Sequence, residues 1–234
     1  MIWWLKEEQN CLIHCLNNMI KNFQKLDLPN QLPIFPLPGA IVLPFGTLPL
    51  NIFEPRYIAM VESVLSKHRM IGMIQPFSGK NNSTTDIYPV GCAGKIMSFT
   101  ETADGRFLIE LAGVLRFRVK QELKLINGYR NIIPDWDPYL EDLQEKKSNI
   151  DISELLKYLR IYFEKNNINV DFSEISKISS EQILASIPQI CSFKPNEKQA
   201  ILEAVSGKSR FDILISLLKM YASNKNDIEN ESIN

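Results

Sequence analysis

The sequence predicts an α+β protein whose first half is rich in strands and whose second half is helical. A proline-rich apolar segment at 32–57 suits short extended strands. The dipeptide Asp104-Gly105 favours a tight reversal between two strand patterns. Beyond a charged stretch at 135–149, the apolar residues recur at helical spacing.

The segment at 32–57 organises the first half of the chain. It holds six of the 13 prolines between short runs of Ile, Leu, Val and Phe. Because each proline fixes φ and withholds a backbone donor, the segment is predicted to form short strands joined by turns. The predicted strands cover residues 33–37, 41–43 and 48–53.

The chain changes abruptly from strand to helix at Glu54-Pro55-Arg56-Tyr57. Proline is favoured at the first helical position, and apolar residues then recur at helical spacing, so a helix is predicted over 55–67. A helix that follows the strands so directly is predicted to lie over the open end of a small barrel. Glu54 and Arg56 flank Pro55 and are expected to form an internal salt bridge that holds this corner.

The rest of the first half is predicted to be strand, interrupted by a polar surface loop at 78–89 that has no periodicity. Gly113 is expected to mark a bend or bulge. The remaining predicted strands cover residues 70–77, 93–99, 107–111, 114–119 and 129–133.

Two arginines, Arg116 and Arg118, alternate with Leu115, Phe117 and Val119 along one predicted strand. They therefore share a face, which is expected to be the solvent-exposed face of a barrel strand. The alternative is that they grip a carboxylate or an RNA phosphate.

The second half begins with a charged stretch, and a domain boundary is placed at 137–149. Four helices are predicted beyond it, each with its own start signal. The start signals are Asp151 with Glu154, Ser179 with Gln182, Pro195, and Ser209 with Asp212. The first helix is expected to end at 164–165 and the third at Gly207. Their apolar stripes are typical of a helical bundle core.

Charge and cysteine content restrict the classes of function. With 26 basic and 27 acidic residues, the formal net charge is -1, which gives no overall attraction for nucleic acid or an anionic membrane. Four scattered cysteines do not form a disulfide framework, so a reducing compartment, the cytoplasm, is inferred. No run approaches about 18 uninterrupted apolar residues, so no membrane span is expected.

Residues 1–27 form an N-terminal extension. Cys11, His14 and Cys15 share one helical face there, but a structural zinc site needs four ligands, and no metal is predicted. The extension is interpreted as an amphipathic helix packed on the body, or as an over-long start whose true first residue is Met19.

Motifs for catalysis and cofactor binding are missing from the sequence. Gly207-Lys208-Ser209 imitates the end of a phosphate-binding loop, but Leu202 stands where the first glycine is needed. There is no G-x-S-x-G or H-E-x-x-H motif. The chain is therefore predicted not to be an enzyme, to have no catalytic residues and to hold no cofactor.

Several long stretches occur in the order typical of one known family. The stretches are LPIFPLPGAIVLPFGTLPLNIFEPRY at 32–57, RMIGMIQP at 69–76, VGCAGKI at 90–96, RFLIELAGVLRFRV at 106–119 and FKPNEKQAILEA at 193–204. Over about 32–221 the sequence resembles the N-terminal substrate-binding (LON) domain of the Lon ATP-dependent proteases.

This resemblance implies a PUA-like β pseudo-barrel followed by a C-terminal α-helical bundle. The implied domains are 28–137 for the barrel and 138–223 for the bundle, with a polar tail at 224–234 that is expected to fray. The Lon ATPase and protease modules do not fit into 234 residues, so a stand-alone LON domain protein is expected. The resemblance also implies binding of unfolded, damaged or tagged polypeptides in protein quality control, alone or with a full-length Lon or another protease.

The candidate substrate-binding residues lie near the expected barrel mouth and first helix. Aromatic and methionine side chains there suit tolerant binding of varied hydrophobic peptides. The candidates are Phe35, Phe45, Phe53, Glu54, Arg56, Tyr57 and Met60.

Two alternative functions are an RNA-binding PUA-like protein, which the near-neutral charge disfavours, and an enzyme of unrecognised type, which would require a deep polar pocket with perturbed carboxylates.

Overall fold

The computed structural model describes residues 27–77, 86–144, 151–170, 172–175 and 179–223. The predicted N-terminal extension with Cys11, His14 and Cys15 lies outside these residues, as do the polar tail and most of the predicted loop at 78–89. None of the described helices is long and apolar enough to cross a membrane.

The described residues form eight strands, six α-helices and a 3₁₀ helix, which confirms the α+β class. The strands are β1 (Leu32–Pro36), β2 (Thr47–Ile52), β3 (Met70–Ile74), β4 (Pro76–Phe77), β5 (Asp86–Ile87), β6 (Val90–Glu101), β7 (Phe107–Glu122) and β8 (Arg130–Asp135). The α-helices are α1 (Pro55–Leu65), α2 (Ser153–Lys165), α3 (Phe172–Ile175), α4 (Ser180–Ile190), α5 (Pro195–Glu203) and α6 (Gly207–Ser223). The 3₁₀ helix covers Asp137–Leu143.

Six strands form one sheet in the order β2-β7-β6-β3-β1-β8. Strands β1 and β3 are parallel, and the other neighbours are antiparallel. The far end of β7 also pairs with β8, with Arg118 opposite Asp135 and Glu122 opposite Ile132. The sheet therefore closes on itself, as predicted for a small barrel.

Strand β7 contains a bulge. Ala93 pairs with Leu115 and Gly94 pairs with Gly113, so Val114 is an extra residue in β7. Such an insertion bends a strand and increases its local twist. The bend predicted at Gly113 is confirmed.

Gly113 also lets another backbone segment approach β7. A Cβ at this position would overlap the carbonyl oxygen of Leu43. Phe45 N–H donates to the Gly113 carbonyl at 3.2 Å, and Gly113 N–H donates to the Gly46 carbonyl at 2.8 Å. Residues 41–43 are buried but form no strand. The backbone groups that follow them are hydrogen-bonded to Gly113 through this turn rather than to a neighbouring strand. The strand predicted there is therefore wrong.

The core cluster around the closed sheet is apolar. It consists of Leu28, Leu32, Ile34, Met70, Ile74, Ala93, Val114, Leu115, Phe117, Ile132 and Trp136. The Trp136 and Phe117 rings pack edge to face, with centroids 5.9 Å apart. Tyr139, Leu140 and Leu143 of the 3₁₀ helix pack against the cluster. The charged linker predicted from 137 onward is thus, up to Leu143, a helix covering the core.

Arg116 is buried, which corrects the prediction of a solvent-exposed face. Its Nε and Nη2 donate to the two carboxylate oxygens of Asp142 at 2.7 and 2.8 Å, and its Nη1 donates to the Leu202 carbonyl at 3.1 Å. Burial opposes the charged form, but the hydrogen bond and charge of Asp142 outweigh it and raise the pKa of Arg116. Arg118 is exposed, so the two arginines do not act as a pair.

A second buried polar group connects α5 to the sheet. Gln75 follows β3 and is fully buried. Its Oε1 accepts from Gly39 N–H at 3.1 Å, and its Nε2 donates to the Pro195 carbonyl at 2.9 Å and to Gln199 Oε1 at 3.1 Å. Gln199 Nε2 in turn donates to the Val90 carbonyl at 3.1 Å. These bonds satisfy amides that would be costly to bury unpaired.

By their internal contacts, the described residues fall into two compact units. The first unit lies within Met1–Lys146 and Ala185–Leu202, and the second within Lys147–Leu184 and Glu203–Asn234. Residues 185–202 thus belong with the sheet, although they lie beyond the predicted boundary in sequence. The division into domains at 28–137 and 138–223 stays a prediction.

Helices α2 and α6 of the second unit pack side by side. Lys165 Nζ donates to the Ala222 carbonyl at 2.6 Å, and Lys219 Nζ lies 2.8 Å from Glu154 Oε1. Glu154 therefore forms an interhelical ion pair rather than the predicted capping box with Asp151.

Two helix starts show how well short-range signals predict boundaries. Ser179 and Gln182 form the predicted capping box, with Ser179 N–H donating to Gln182 Oε1 at 3.1 Å and Gln182 N–H donating to Ser179 Oγ at 3.3 Å. Gly207, predicted to end a helix, instead begins α6. The reason is an earlier cap, in which Ser209 N–H donates to Ser206 Oγ at 3.1 Å.

Replacing the carboxylate that pairs with Arg116 is expected to destabilise the first unit strongly. Asp142→Asn leaves a buried guanidinium without its counter-charge, which costs about 3 kcal/mol in the free energy of unfolding. The control is Glu122→Gln, which removes the partner of Arg130 at a more exposed ion pair and is expected to cost about 0.5 kcal/mol or less. Urea unfolding measures both, and equal losses would contradict a buried pair.

Adding one methyl group at Gly113 is expected to separate the turn at 43–46 from β7. Gly113→Ala forces the Leu43 carbonyl to move and should cost about 2 kcal/mol or more. Gly105→Ala is the matched control, because a Cβ there meets no atom within 4 Å and only the φ of +77° is unfavourable, at about 1 kcal/mol. Thermal unfolding that ranked Gly105→Ala as the more damaging change would contradict the close approach.

Candidate functional site

Three of the seven predicted binding residues are buried. The Phe35 and Tyr57 rings pack against each other at a tilt of 39° with centroids 4.2 Å apart, which holds α1 on β1. Met60 is fully buried on the inner face of α1. Burial raises the pKa of Tyr57. These side chains stabilise the position of α1 and are at most 7% exposed. Their assignment as binding residues stays a prediction, which this burial does not support.

Phe53, Glu54 and Arg56 are accessible where β2 ends and α1 begins. The Phe53 side chain is 63% exposed. Arg56 Nη2 lies 2.7 Å from Glu54 Oε2, which is the salt bridge expected at this corner, and this hydrogen-bonded partner raises the pKa of Arg56. The seventh candidate, Phe45, is partly buried against Ala112 and does not share this surface.

A tight turn before β8 lies beside the first turn of α1. Ile126 and Tyr129 pair across it, and Asn127 and Gly128 adopt positive φ at +48° and +82°. A Cβ on Gly128 would lie 3.3 Å from Arg56 Cβ, so the turn and the helix are in close proximity. Leu125 and Ile126 are 63% and 45% exposed. We call these two residues and Phe53 the apolar rim.

A pocket of about 440 Å³ lies between α1, this turn and the outer face of β1 and β8. Its lining residues are Pro29, Asn30, Gln31, Pro33, Ser63, Val64, Lys67, His68, Ile126, Tyr129 and Asn131. Pro33 and Asn131 are direct partners in the β1–β8 register and form its floor. Ile126 belongs to both the pocket and the apolar rim, so the two features are continuous.

Three polar side chains in the pocket, Ser63, His68 and Tyr129, have hydrogen-bond partners within the protein. Tyr129 Oη donates to Ser63 Oγ at 3.0 Å, and Ser63 Oγ donates to the Met60 carbonyl at 2.7 Å. His68 Nδ1 accepts from Met70 N–H at 3.0 Å. By contrast, Asn131 is only 5% exposed, and its side-chain Nδ2 has no hydrogen-bond partner among the described residues.

The hydrogen bond at His68 fixes its tautomer. Because Nδ1 accepts, the neutral ring carries its proton on Nε2 and is a donor there. Burial lowers the pKa of His68, and the neighbouring charge of Lys67 lowers it further. The imidazole is therefore held in its neutral form near pH 7.

Ser63 and His68 do not form a nucleophile–base pair, although both line the pocket. The hydroxyl donates to a backbone carbonyl, and the histidine Nδ1 accepts from a backbone N–H. Hydrolytic catalysis of the serine type requires a hydrogen bond between the two side chains. Across the described ranges there is also no group of three His, Cys, Asp or Glu side chains placed to hold a metal ion.

Sequence reasoning missed this pocket. The sequence feature that indicates the pocket is Asn131, a polar residue in an otherwise apolar strand pattern, NIIP at 131–134. Its neighbours Ser63 and His68 lie more than 60 residues away in sequence, and only the closure of the sheet brings them together.

Comparison with known proteins gives a consistent result. The sequence model described as the ATP-dependent protease La (LON) substrate-binding domain matches residues 31–220. A Lon protease of Dictyoglomus thermophilum is 26% identical over 224 residues, covering 89% of this chain and 27% of that protein. A Lon protease of Desulfosudis oleivorans is 29% identical over 117 residues, covering 49% of this chain and 13% of that protein. The chain thus spans a small part of the length of these relatives.

Two solved structures share the fold. The Lon N-terminal domain protein from Xanthomonas campestris superposes with a TM-score of 0.56 at 19% identity, covering 80% of this chain and 98% of that one. The N-terminal domain of a Mycobacterium avium complex Lon protease gives a TM-score of 0.57 at 12% identity, covering 81% and 98%. The resemblance proposed from the sequence is confirmed.

The lowered pKa of His68 makes stability depend on pH. The unfolded chain binds the histidine proton at the ordinary pKa of 6.5, whereas the folded chain binds it only at lower pH. Stability is therefore lost progressively as the pH falls from about 6.5 towards the folded value. His68→Asn keeps an acceptor for Met70 N–H and should lose less stability on acidification. Urea unfolding at about pH 7.5 and about pH 5.5 tests this, and parallel losses would contradict it.

Proposed function

The chain belongs to the family of the ATP-dependent protease La (LON) substrate-binding domain, and from this we propose that it binds unfolded or damaged polypeptides without acting on them chemically. The observation that carries the proposal is the apolar rim: Phe53 is exposed just before α1, Leu125 and Ile126 are exposed just before β8, and Ile126 also lines the pocket. Exposed apolar side chains beside a concave pocket support a role for this surface in binding a partner.

The rim suits extended chains of varied sequence. Each of its side chains offers apolar surface that gains about 25 cal/mol per Å² when covered, without requiring a particular hydrogen bond from the ligand. The aromatic ring of Phe53 provides a large contact at little cost in side-chain entropy. The contact between Phe35 and Tyr57 holds α1, the helix that follows Phe53, on β1.

In this proposal the protein acts in protein quality control, and a full-length Lon or another protease is the partner that receives the bound polypeptide. We place it in the cytoplasm, a reducing compartment, because Cys92 and Cys191 are free thiols. Burial raises the pKa of Cys191 to about 12, which keeps this thiol protonated and unreactive.

The two alternatives lack comparable support in the described part of the chain. RNA binding would use exposed cations, and Arg116 is already engaged by Asp142 inside the fold. An enzyme would need an activated nucleophile or a coupled acid and base, and the pocket side chains make hydrogen bonds that serve the backbone instead.

Weakening the rim is expected to weaken polypeptide binding without unfolding the protein. Phe53→Ser combined with Ile126→Ser removes two exposed apolar side chains and should raise the Kd for reduced carboxymethylated casein about fivefold or more, which corresponds to about 1 kcal/mol. Fluorescence anisotropy with labelled casein measures the Kd, and circular dichroism confirms that the fold is intact.

The matched control is Val205→Ser, since Val205 is 88% exposed and lies outside the rim. It should leave the Kd unchanged. Equal weakening by the control would show that casein binds to exposed apolar residues in general. Absence of casein binding at tens of micromolar by the unaltered protein, or peptide cleavage or ATP hydrolysis by it, would overturn the proposed function.

A further inference from the structure

One buried amide in the pocket lacks a partner. Asn131 lies on β8 opposite Pro33 and is only 5% exposed to solvent. Its Nδ2 finds no acceptor among the described residues. A buried donor left unpaired costs about 1–3 kcal/mol, so such groups are usually satisfied by something that the protein binds. Asn131 lines the pocket, so the missing acceptor is expected to come from there.

Among the other groups that line the pocket, Lys67 and His68 are donors, and Asn30 and Gln31 each carry an amide that can donate or accept. Lys67 is exposed in the turn that follows α1 and contributes a positive charge with three N–H bonds. The neutral His68 ring carries its proton on Nε2, because its Nδ1 is occupied by Met70 N–H. The lining contains no Asp or Glu. A negatively charged acceptor is therefore complementary to the pocket, whereas a cation is not.

The remaining lining fits an apolar side chain beside that acceptor. Pro29, Pro33, Val64 and Ile126 form the non-polar part of the wall. The C-terminal residue of a polypeptide carries both groups on the same Cα: a carboxylate and a side chain. An internal acidic residue places its carboxylate at the end of a side chain and would have to bring two continuing chain segments into the pocket.

We propose that this pocket binds the C-terminal carboxylate of a polypeptide, with Asn131 and Lys67 as its donors and the apolar wall around the final side chain. The inference rests on the proposed polypeptide binding and names the part of the ligand that is recognised. The apolar rim then contacts residues that precede the chain end, because Ile126 belongs to both surfaces. No covalent step is involved.

The binding test uses the full chain and three fluorescein-labelled peptides with the same apolar sequence. One ends in leucine with a free carboxylate, one ends in leucine amide, and one is amidated but carries an internal glutamate. Loss of a charge-assisted hydrogen bond should weaken binding of the leucine amide about tenfold or more relative to the free acid. Anisotropy titrations give the three Kd values. Tight binding of the glutamate peptide would overturn the assignment to a chain end.

Two variants report on the donors separately. Asn131→Asp keeps the shape of the side chain but replaces the donor with a repelling charge, and Lys67→Gln changes an exposed residue that cannot disrupt the core. Each should reduce the preference for the free acid over the amide about threefold or more. Lys120→Gln, an exposed lysine on β7 outside the pocket, should not.

A direct readout is the side-chain amide of Asn131 in ¹H–¹⁵N spectra, assigned by its disappearance in Asn131→Asp. Adding N-acetyl-leucine should shift this pair of signals, and adding N-acetyl-leucinamide should not. If the free-acid and amide peptides bind equally and the signals do not move, the inference is wrong while polypeptide binding stands. If none of the peptides and no casein binds, both the inference and the proposed function fail.

Discussion

The first unit depends on one strand pairing with three others. Strand β7 runs for 16 residues, with β2 beside its first part, β6 beside it from Phe107 to Arg118, and β8 beside its end. A straight strand could not pair with neighbours that lie in different directions. The bulge at Val114 and the close approach at Gly113 therefore allow the sheet to close. Closure then sets the position of β8, and with it Tyr129 and Asn131. The pocket is therefore a consequence of how β7 bends.

Buried polar groups hold the covering elements onto this sheet. Arg116 joins β7 to the 3₁₀ helix through Asp142 and to the end of α5 through the Leu202 carbonyl. Gln75 joins the end of β3 to the start of α5. An ion pair of this kind adds little net stability compared with apolar packing, but it tolerates few alternative arrangements. The two side chains fix which helix covers which part of the sheet.

Sequence patterns predicted the elements that are decided within a few residues. The start of α1 at Pro55, the reversal at Asp104-Gly105 and the capping box of Ser179 with Gln182 all depend on short-range chemistry. The environment of Arg116 was not predictable in this way, because its partner Asp142 is 26 residues distant and was assigned to a charged linker. For the site, the sequence located α1 and the corner at Glu54 and Arg56. The sequence did not distinguish the buried aromatic residues from Phe53, which faces solvent. The reason is that aromatic residues of both kinds occur in the same apolar segment.

The assignment of residues 185–202 to the first unit has a practical consequence for dissecting this protein. A truncated chain that stops after β8 or the 3₁₀ helix would keep every strand, yet Gln75 would lose its acceptors at Pro195 and Gln199. Arg116 would lose the Leu202 carbonyl in the same step. A fragment whose boundary follows sequence order alone would thus be unstable and aggregation-prone. Limited proteolysis would have to cut the polypeptide on both sides of 185–202 to release an intact sheet.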